Sequence, residues 1–483
     1  MNARPFQRLL MSILLASLGW MPASRVTAQS LTILHQFAGG TNDGSQPLWM
    51  HLIQASDGNF YGTTEYGGIS NVGTVFKITS GGSLTVLYQF KGGPANDGEF
   101  PEAGLVQGSD GNFYGTTYEG GTNFYGTVFR MTPAGVLTNL HIFQGPATHD
   151  GRWPFSPLTQ GTDGFFYGTT SAGGSNGVGT VFQMNSAGNL TVIYSFTNGV
   201  DGSDPYAGVF QGSDGYFYGT TQKGGTNGVP YGGYGTVYKV SSGGAFIPLH
   251  EFGDTPTDGQ NPIGGIIQGY TGDYFGTAFG GGSNGYGTVF RITAAGVLTN
   301  LYHFGGPAYD GLNPYNGLLQ GSDSYLYGTT FLGGTNGAGS LFKIGPAGGL
   351  IYLHAFDAFI GDGVHPEDSL VEGYDGNYYG TTYQGGTNDF GVVYKLAYPV
   401  PENPNEPNIT DSGNSGATNN FVFSFAGVAG ETYQLQFANV LPAAVWSNVP
   451  GVVISNAIGG PLLFSNLVST TVPQRFYRLQ ITP

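Results

Sequence analysis

The sequence predicts an all-β protein: a seven-bladed β-propeller with four-stranded blades, followed by a small β-sandwich. Three observations lead there. Gly (87) and Pro (27) together make 114 of 483 residues, about twice the ~12% of ordinary proteins. Yet aromatic residues reach 14% and charged residues only 9%. Disordered chains are aromatic-poor and charge-rich, so this glycine punctuates turns in a packed protein. Second, one phrase, Tyr-Gly-Thr-Thr, recurs at a nearly fixed interval. Third, no stretch sustains the 3.6-residue period of an amphipathic helix, which excludes helical bundles and coiled coils.

The phrase is anchored at Tyr61, Tyr114, Tyr167, Tyr218, Phe275, Tyr327 and Tyr379, at spacings of 53, 53, 51, 57, 52 and 52. Each anchor sits in the same frame, which the second copy illustrates. Gly104–Gln107 leads to the turn Ser109-Asp110-Gly111, and Asn112–Thr117 to the loop Gly120–Asn123. Gly126–Met131 then leads through Pro133-Ala134-Gly135 to a run from Leu137 to Phe143. Four short runs rich in Val, Thr, Phe and Tyr, parted by turn residues, read as four antiparallel strands. A fixed ~50-residue period of such units suits a propeller blade. The strands are lettered a to d from the axis outward.

The phase of the repeat predicts how the ring closes. The run Leu31–Phe37 is of the d type, and its counterparts begin at Leu84, Leu137, Leu190, Phe246, Leu298 and Leu350. The seventh copy supplies strand a near Ser369, b at Tyr378 and c at Gly391 to Leu396, with no strand d before a Pro-rich run. Leu31–Phe37 is therefore expected to complete blade seven and remove the open edges.

Residues 1–28 read as a signal peptide: Arg4 and Arg8 precede the apolar Leu9–Leu18, and Val26-Thr27-Ala28 is a small-residue cleavage site. The apolar core is shorter than the ~20 residues of a membrane span. Cleavage removes three of 14 basic residues and no acid, leaving 11 against 30, a net charge of −19. That balance disfavours nucleic acid and anionic membranes. The absence of cysteine excludes disulfides, thiolate metal sites and a lipid-modified N-terminal Cys. The propeller is expected over 29–398 and a semi-rigid linker, starting with Pro399–Pro407, over 399–410. An immunoglobulin- or fibronectin-like sandwich is expected over 411–483. Its strands are Phe421–Phe425, Thr432–Phe437, Val445–Asn448, Val452–Ser455, Leu462–Phe464 and Phe476–Ile481, with Trp446 in the core.

The phrase QGSDGNFYGTT…GGTN…GTVFK resembles the GloVer repeat of exported bacterial proteins, over residues 31–396. The resemblance implies an exported, propeller-like surface or secreted protein and no particular activity. Members of that family often end in an anchoring tail. This sequence ends Arg475–Pro483 without an apolar span, so attachment through such a tail is not expected.

Propeller geometry places the d–a and b–c loops on one face, here the first face. The d–a loop carries Asp-Gly-x-x-Pro, with Asp43, Asp97, Asp150, Asp201, Asp258, Asp310 and Asp362. The b–c loop carries Gly-Gly-x-Asn, with Asn71, Asn123, Asn176, Asn227, Asn284, Asn336 and Asn388. One reading is a set of oxygen ligands for calcium. The other, favoured because the residue is identical in every blade, is turn capping of backbone N–H groups. Strand a ends in Gln54, Gln107, Gln160, Gln211, Gln268 and Gln320, with Glu372 in blade seven. These side chains form either a polar ring at the channel or bonds to a neighbouring blade's backbone.

Departures from the repeat are better functional suspects, because binding resides in variable loops on a rigid scaffold. The fourth b–c loop has about five extra residues, bringing Tyr231 and Tyr234. His149, Arg152 and Trp153 flank Asp150, and Trp49 follows the first Asp-Gly-x-x-Pro. Exposed aromatics of this kind stack on sugars or plug protein pockets; the bland reading packs them between blades. HExxH and P-loop motifs are absent, and no G-x-S-x-G stands in the strand–turn–helix context of a nucleophile elbow. Glu65, Glu119 and Glu372 are the acids to test for glycosidase chemistry, against the ordinary reading of solvated strand-surface acids. The expected function is an exported, non-catalytic binding protein for a polysaccharide or an envelope protein, monomeric, with no cofactor unless calcium. The location is secreted, periplasmic or cell-surface. The alternatives are a carbohydrate hydrolase or lyase working in the propeller funnel, and a purely structural envelope component.

Overall fold

The computed structural model describes residues 31–48, 51–93, 97–228, 232–306, 310–358 and 361–397, and the backbone of six strands between 411 and 482. The expected signal peptide, the linker, Trp49, Tyr231 and Trp446 lie outside the described residues. Residues 31–396 form a seven-bladed propeller of four-stranded antiparallel sheets. Blade two is typical: Val106–Gln107, Phe113–Thr117, Thr127–Met131 and Leu137–Ile142. Leu31–Gln36 pairs with Val392–Leu396, Leu31 opposite Leu396, and so supplies the outer strand of blade seven.

The sequence of one strand explains its burial. Phe113–Thr117 is buried at every position, because both of its faces lie against neighbouring blades. Gly115 stands opposite Phe129 on strand c. A Cβ there would come within 2.6 Å of the Phe129 ring, so glycine makes the room that the phenylalanine fills. The anchor tyrosine packs across the blade boundary: Tyr61–Phe113, Tyr114–Phe166, Tyr167–Phe217, Tyr218–Tyr274, Tyr327–Tyr378 and Tyr379–Phe60 have ring centroids 3.7–4.2 Å apart. In the remaining boundary, Phe275 packs in one core cluster with Leu326. Such pairs contribute roughly 0.5–1.5 kcal/mol each beyond area burial. The Tyr114 hydroxyl donates to Asp110 in the a–b turn at 2.9 Å, and blades one, three, four, six and seven repeat this bond. Blade five has Phe275 and Thr271 at these positions and loses both partners together.

The two threonines complete the phrase. The first donates to a backbone carbonyl of the next blade, as Thr63 does to Ala103 at 3.0 Å. The second bonds strand c, as Thr117 does with Thr127 at 2.9 Å. Every part of Tyr-Gly-Thr-Thr is thus consumed by the scaffold.

The C-terminal strands form two three-stranded sheets. Asp411–Asn414, Asn420–Gly427 and Gly460–Leu467 make one; Ser447–Asn456, Glu431–Ala438 and Phe476–Thr482 make the other. The expected strands Val445–Asn448 and Val452–Ser455 are one strand, Ser447–Asn456, with a register shift opposite Gln434–Gln436. Pro450-Gly451 sits at that shift: proline cannot donate to the ladder, and the chain bulges there rather than turning back.

Candidate functional site

The d–a and b–c loops share one face, and each d–a loop pairs with the b–c loop of its own blade. Gly44–Ser45 pairs with Tyr66–Gly67, Gly259–Gln260 with Gly280–Gly281, and Gly311–Leu312 with Leu332–Gly333. Single bridges do the same in the other four, for example Glu99 with Glu119.

The structure does not bring the seven loop aspartates together. Each is consumed in its own loop. Asp150 accepts from the backbone N–H of Gln144 and Gly145 and from His141 Nε2 at 2.9 Å. Asp97 accepts from Lys91 N, Gly92 N and the Tyr88 hydroxyl. Asp43, Asp258 and Asp362 pair with His35, His250 and His354, and Asp201 and Asp310 with Tyr194 and Tyr302. Burial works to raise the Asp150 carboxyl, but its hydrogen bonds to His141, Gln144 and Thr148 together hold it below the ordinary range. Among the described residues no group of three or more His, Asp or Glu is placed to hold a metal ion. The loop asparagines also serve backbone groups: Asn176 Nδ2 donates to Phe196 O and Asn284 Nδ2 to Phe304 O.

The strand-a glutamines stitch blades together at the opposite face. Gln107 Oε1 accepts from Ser56 N, Gln160 from Ser109 N and Gln54 from Tyr374 N, the last across the ring closure. Glu372 takes the same part, accepting from Ser322 N at 2.9 Å. It is therefore far from Glu65 and Glu119, which lie on first-face loops.

The variable candidates scatter. Tyr234 is not part of a raised loop. It occupies the position of Tyr125 and Tyr286, immediately before Gly-Thr-Val in the repeat, and packs against the core of blades four and five. A Cβ on Gly253 would lie 2.3 Å from its ring. His149 is exposed with φ 58° and lines an open groove at the outer rim, beside His141 and Leu190. Arg152 lies over the Trp153 ring at 4.3 Å. Trp153 is 6.0 Å from Tyr118 and marks the edge of the axial site.

That site is built from positions that differ from blade to blade while everything around them repeats. The residue before the loop proline has φ of 54–60° in every blade: Gln46, Phe100, Trp153, Asp204, Asn261, Asn313 and His365. Its N–H donates to the preceding blade and its carbonyl accepts from the residue after Thr-Thr, as Trp153 does with Tyr125 O and Ser171 N. The backbone is thereby fixed and the side chain is free to vary. The residue after the proline is Glu102, Phe155, Tyr206, Ile263, Tyr315 or Glu367 in blades two to seven. The residue after Thr-Thr is Glu65, Tyr118, Ser171, Gln222, Phe279, Phe331 or Tyr383.

These side chains sort into two arcs; Phe155, Tyr206, Ile263 and Tyr315 line an axial cavity of about 250 Å³ together with His51 and Ser369, and the carboxyl groups are not part of its wall. One arc is aromatic: Tyr118–Phe155 and Phe155–Tyr206 are 4.4 and 4.6 Å apart, and Tyr315 contacts Phe279 and Phe331 at 5.4 and 5.7 Å. The other, from blades seven, one and two, is carboxylic. Glu65, Glu102, Glu367 and Asp368 are only 8, 6, 6 and 1% exposed. Among the described residues no Lys or Arg pairs with any of them. Burial, then repulsion from Glu65, Glu119 and Glu367, pushes Glu102 up to about 9. Burial and Glu65 push Glu367 up to about 8, and burial raises Glu65 to about 6 against a hydrogen bond from Tyr66. Glu119 is raised by burial and by Glu99. At neutral pH the arc holds its protons on Glu102 and Glu367 and is ionised at Glu65.

At the cavity wall, His51 Nδ1 meets Ser369 Oγ and lies 3.4 Å from Asp368 Oδ1. Its side chain is 30% exposed, toward the cavity. Burial pushes it down to about 4. Burial holds the Asp368 carboxyl well above the usual carboxylate range, against a hydrogen bond from Thr381. Ser369 and Asp368 both approach Nδ1, so the imidazole does not bridge a serine to an acid as a hydrolase triad requires.

Of the residues in and around this candidate site, the sequence reading singles out Glu65, Glu119, Arg152 and Trp153 and passes over Glu102, Glu367, Phe155, Tyr206 and His51. The signal was present: aligning the copies on their prolines shows one position that is acidic twice, aromatic three times and aliphatic twice, at Leu48 and Ile263.

A family model described as the Gloeobacter/Verrucomicrobia repeat matches residues 23–231 and 226–434. No curated protein matches. Among solved structures, the chain is similar to the BP39L lectin from Burkholderia pseudomallei, at 10% identity and TM-score 0.47, covering 75% of this chain and 97% of the lectin. It is also similar to a luciferin-regenerating enzyme, at 12% identity and TM-score 0.39, covering 74% and 93%. A third is a puromycin hydrolase, at 11% identity and TM-score 0.42, covering 80% and 59%. At these identities and scores the likenesses carry nothing about chemistry.

Proposed function

Because the chain belongs to the Gloeobacter/Verrucomicrobia repeat family, whose repeat accounts for the scaffold alone, we propose that its function lies where the copies differ: an exported binding protein that takes a glycan at the axial mouth of its first face. One observation carries the reading. Phe155, Tyr206, Ile263 and Tyr315, which vary among blades, line the axial cavity beside the polar side chains of His51, Asn316 and Ser369, the combination that stacks on sugar rings and bonds their hydroxyls. The signal-like residues 1–28 support export. The two C-terminal sheets are read as halves of a small sandwich serving as an accessory module.

The test is retention on a panel of immobilised polysaccharides, for the wild type and for Phe155→Ala with Tyr206→Ala. Both rings are partly exposed at the cavity. The double variant is expected to keep its thermal midpoint within a few degrees and to lose at least tenfold in retention, in line with ~1–3 kcal/mol for aromatic stacking. Equal retention of the variant, or no retention of any polysaccharide by the wild type, overturns the proposal. A second reading, hydrolysis, is favoured by the divergent titration of Glu65 and Glu102, since paired carboxyls with separated pKa values are what acid–base catalysis uses. New reducing ends on the retained polysaccharide would select it.

A further inference from the structure

Blades one and seven break the repeat at the wall of the axial cavity. In the other five, the residue before the aliphatic that leads into strand a is Gly104, Pro157, Gly208, Gly265 or Gly317. A Cβ on Gly104 would lie 2.6 Å from His51 N, and one on Gly208 2.7 Å from Pro157 O, so neighbouring blades meet there backbone to backbone. Blade one has an extra residue in this stretch, with Leu52 five positions after its proline where Leu105 is four after its own. It carries His51 at the position, and blade seven carries Ser369. The two side chains meet across the boundary between blades seven and one, Ser369 Oγ with His51 Nδ1. Buried Asp368 stands 3.4 Å from the same nitrogen. The other polar side chains of the wall serve the scaffold. Asn316 spans Glu367 O and Gly317 N, Ser156 bonds Thr169, and Thr159 donates to Val209 O. His51 Nε2 has no hydrogen-bond partner among the described residues, which leaves it for a ligand.

Two further properties narrow that ligand. The wall holds no Asp, Glu, Lys or Arg, so a charged group seated in it would lose its water and find no counterion. Six blades contribute to the wall, from His51 of blade one round to Ser369 of blade seven, and a cavity on the axis of a closed ring opens only along that axis. A polymer lying across the first face therefore cannot enter it sideways, whereas a chain end can. The volume of about 250 Å³ falls below the ~300–1,000 Å³ of sites for drug-sized molecules, room for one sugar ring. Resting on the glycan reading above, we propose that the cavity recognises chain ends: it takes the uncharged terminal sugar of a glycan against the rings of Phe155 and Tyr206, with His51 Nε2 bonding one of its hydroxyls. A hydroxyl both donates and accepts, so it serves Nε2 in either tautomer. Ser369 is a positioning residue that holds the imidazole by Nδ1.

The experiment has two arms, both on the full chain. An array of neutral hexose and N-acetylhexosamine oligosaccharides, each printed with and without a terminal uronic acid, reads the charge of the end. Acid-ended chains are expected to bind at least tenfold more weakly than their neutral counterparts. Calorimetry with the best-bound sugar chain, as a tetramer and as a long polymer, reads the stoichiometry, which is expected to stay at one protein per chain. His51→Asn keeps an amide where Nδ1 stood and does not reach the place of Nε2. It is expected to weaken binding about two- to tenfold, the range of one neutral hydrogen bond. His51→Gln, whose amide reaches that place, is expected to recover most of the loss, which a merely structural role would not give. Should both variants melt early, the two wild-type measurements still decide. Equal binding of acid-ended chains, more protein bound on the longer chain, or a folded His51→Asn that binds as wild type does overturns end recognition. If glycans are bound in any of those ways, the glycan reading survives; if none is bound, both fall.

Discussion

Glu102 makes the stability of this propeller depend on pH in a direction opposite to that of most proteins. Its carboxyl is moved from an ordinary 4.5 to about 9 by burial and by three neighbouring acids. Below pH 4.5 the folded and unfolded chains both hold the proton and the contribution to stability is complete. Between 4.5 and 9 the unfolded chain surrenders the proton while the folded chain keeps it, so stability falls by about 1.4 kcal/mol per pH unit. From pH 5 to pH 7 the loss is about 3 kcal/mol from this residue, and Glu367 adds a loss of the same sign up to about pH 8. Glu102→Gln cannot ionise. It should match the wild type near pH 4.5 and exceed it at pH 7 by up to about 3 kcal/mol, about 4 °C in Tm for a propeller of this size. Thermal melts of both proteins at half-unit steps from pH 4.5 to 8 measure this. Wild-type stability that rises across the interval, or a variant whose profile runs parallel to the wild type, would refute the assignment of a neutral buried Glu102.

Two further outcomes follow from the scaffold. Asp150→Ala strands the backbone N–H groups of Gln144 and Gly145 and should cost ~2–4 kcal/mol in urea denaturation. Chelation should leave the wild-type midpoint unmoved, since these carboxylates are consumed by backbone donors; a lowered midpoint in chelator would restore a cation to the loops. Deleting residues 29–38 leaves Val392–Leu396 as an open edge, and the product should aggregate in size-exclusion chromatography, whereas a monomer that resists proteases would show the closing strand to be dispensable.

The ring was legible from the chain because each blade repeats one solution. Tyr114, Gly115 and Thr116 have fixed tasks against the next blade, and a task repeated seven times leaves a phrase that can be counted. The outer strand at Leu31 was legible for the same reason, as the seventh member of a set of six. The acid arc was not. Glu102 and Glu367 are 265 positions apart in the chain, and only closure of the ring sets them in one electrostatic neighbourhood. Neither looks unusual alone, since an acid after a proline in a loop is ordinarily solvated. Tyr234 misled in the opposite way. Its sequence neighbours include an insertion, but its own position belongs to the repeat, seated against Gly253 as Tyr286 is against Gly305.

The pairing of Leu31–Gln36 with Val392–Leu396 also governs when the protein can become itself. The first strand made is the last to find its partner, and roughly 360 residues must be threaded before it does. Until then the seventh blade lacks its outer strand, and the Phe60 face of blade one waits bare for the Tyr379 ring that covers it in the closed ring. Closing such a long loop is slow and entropically costly. The fold therefore carries its own delay: the ring cannot close until its final repeat has emerged.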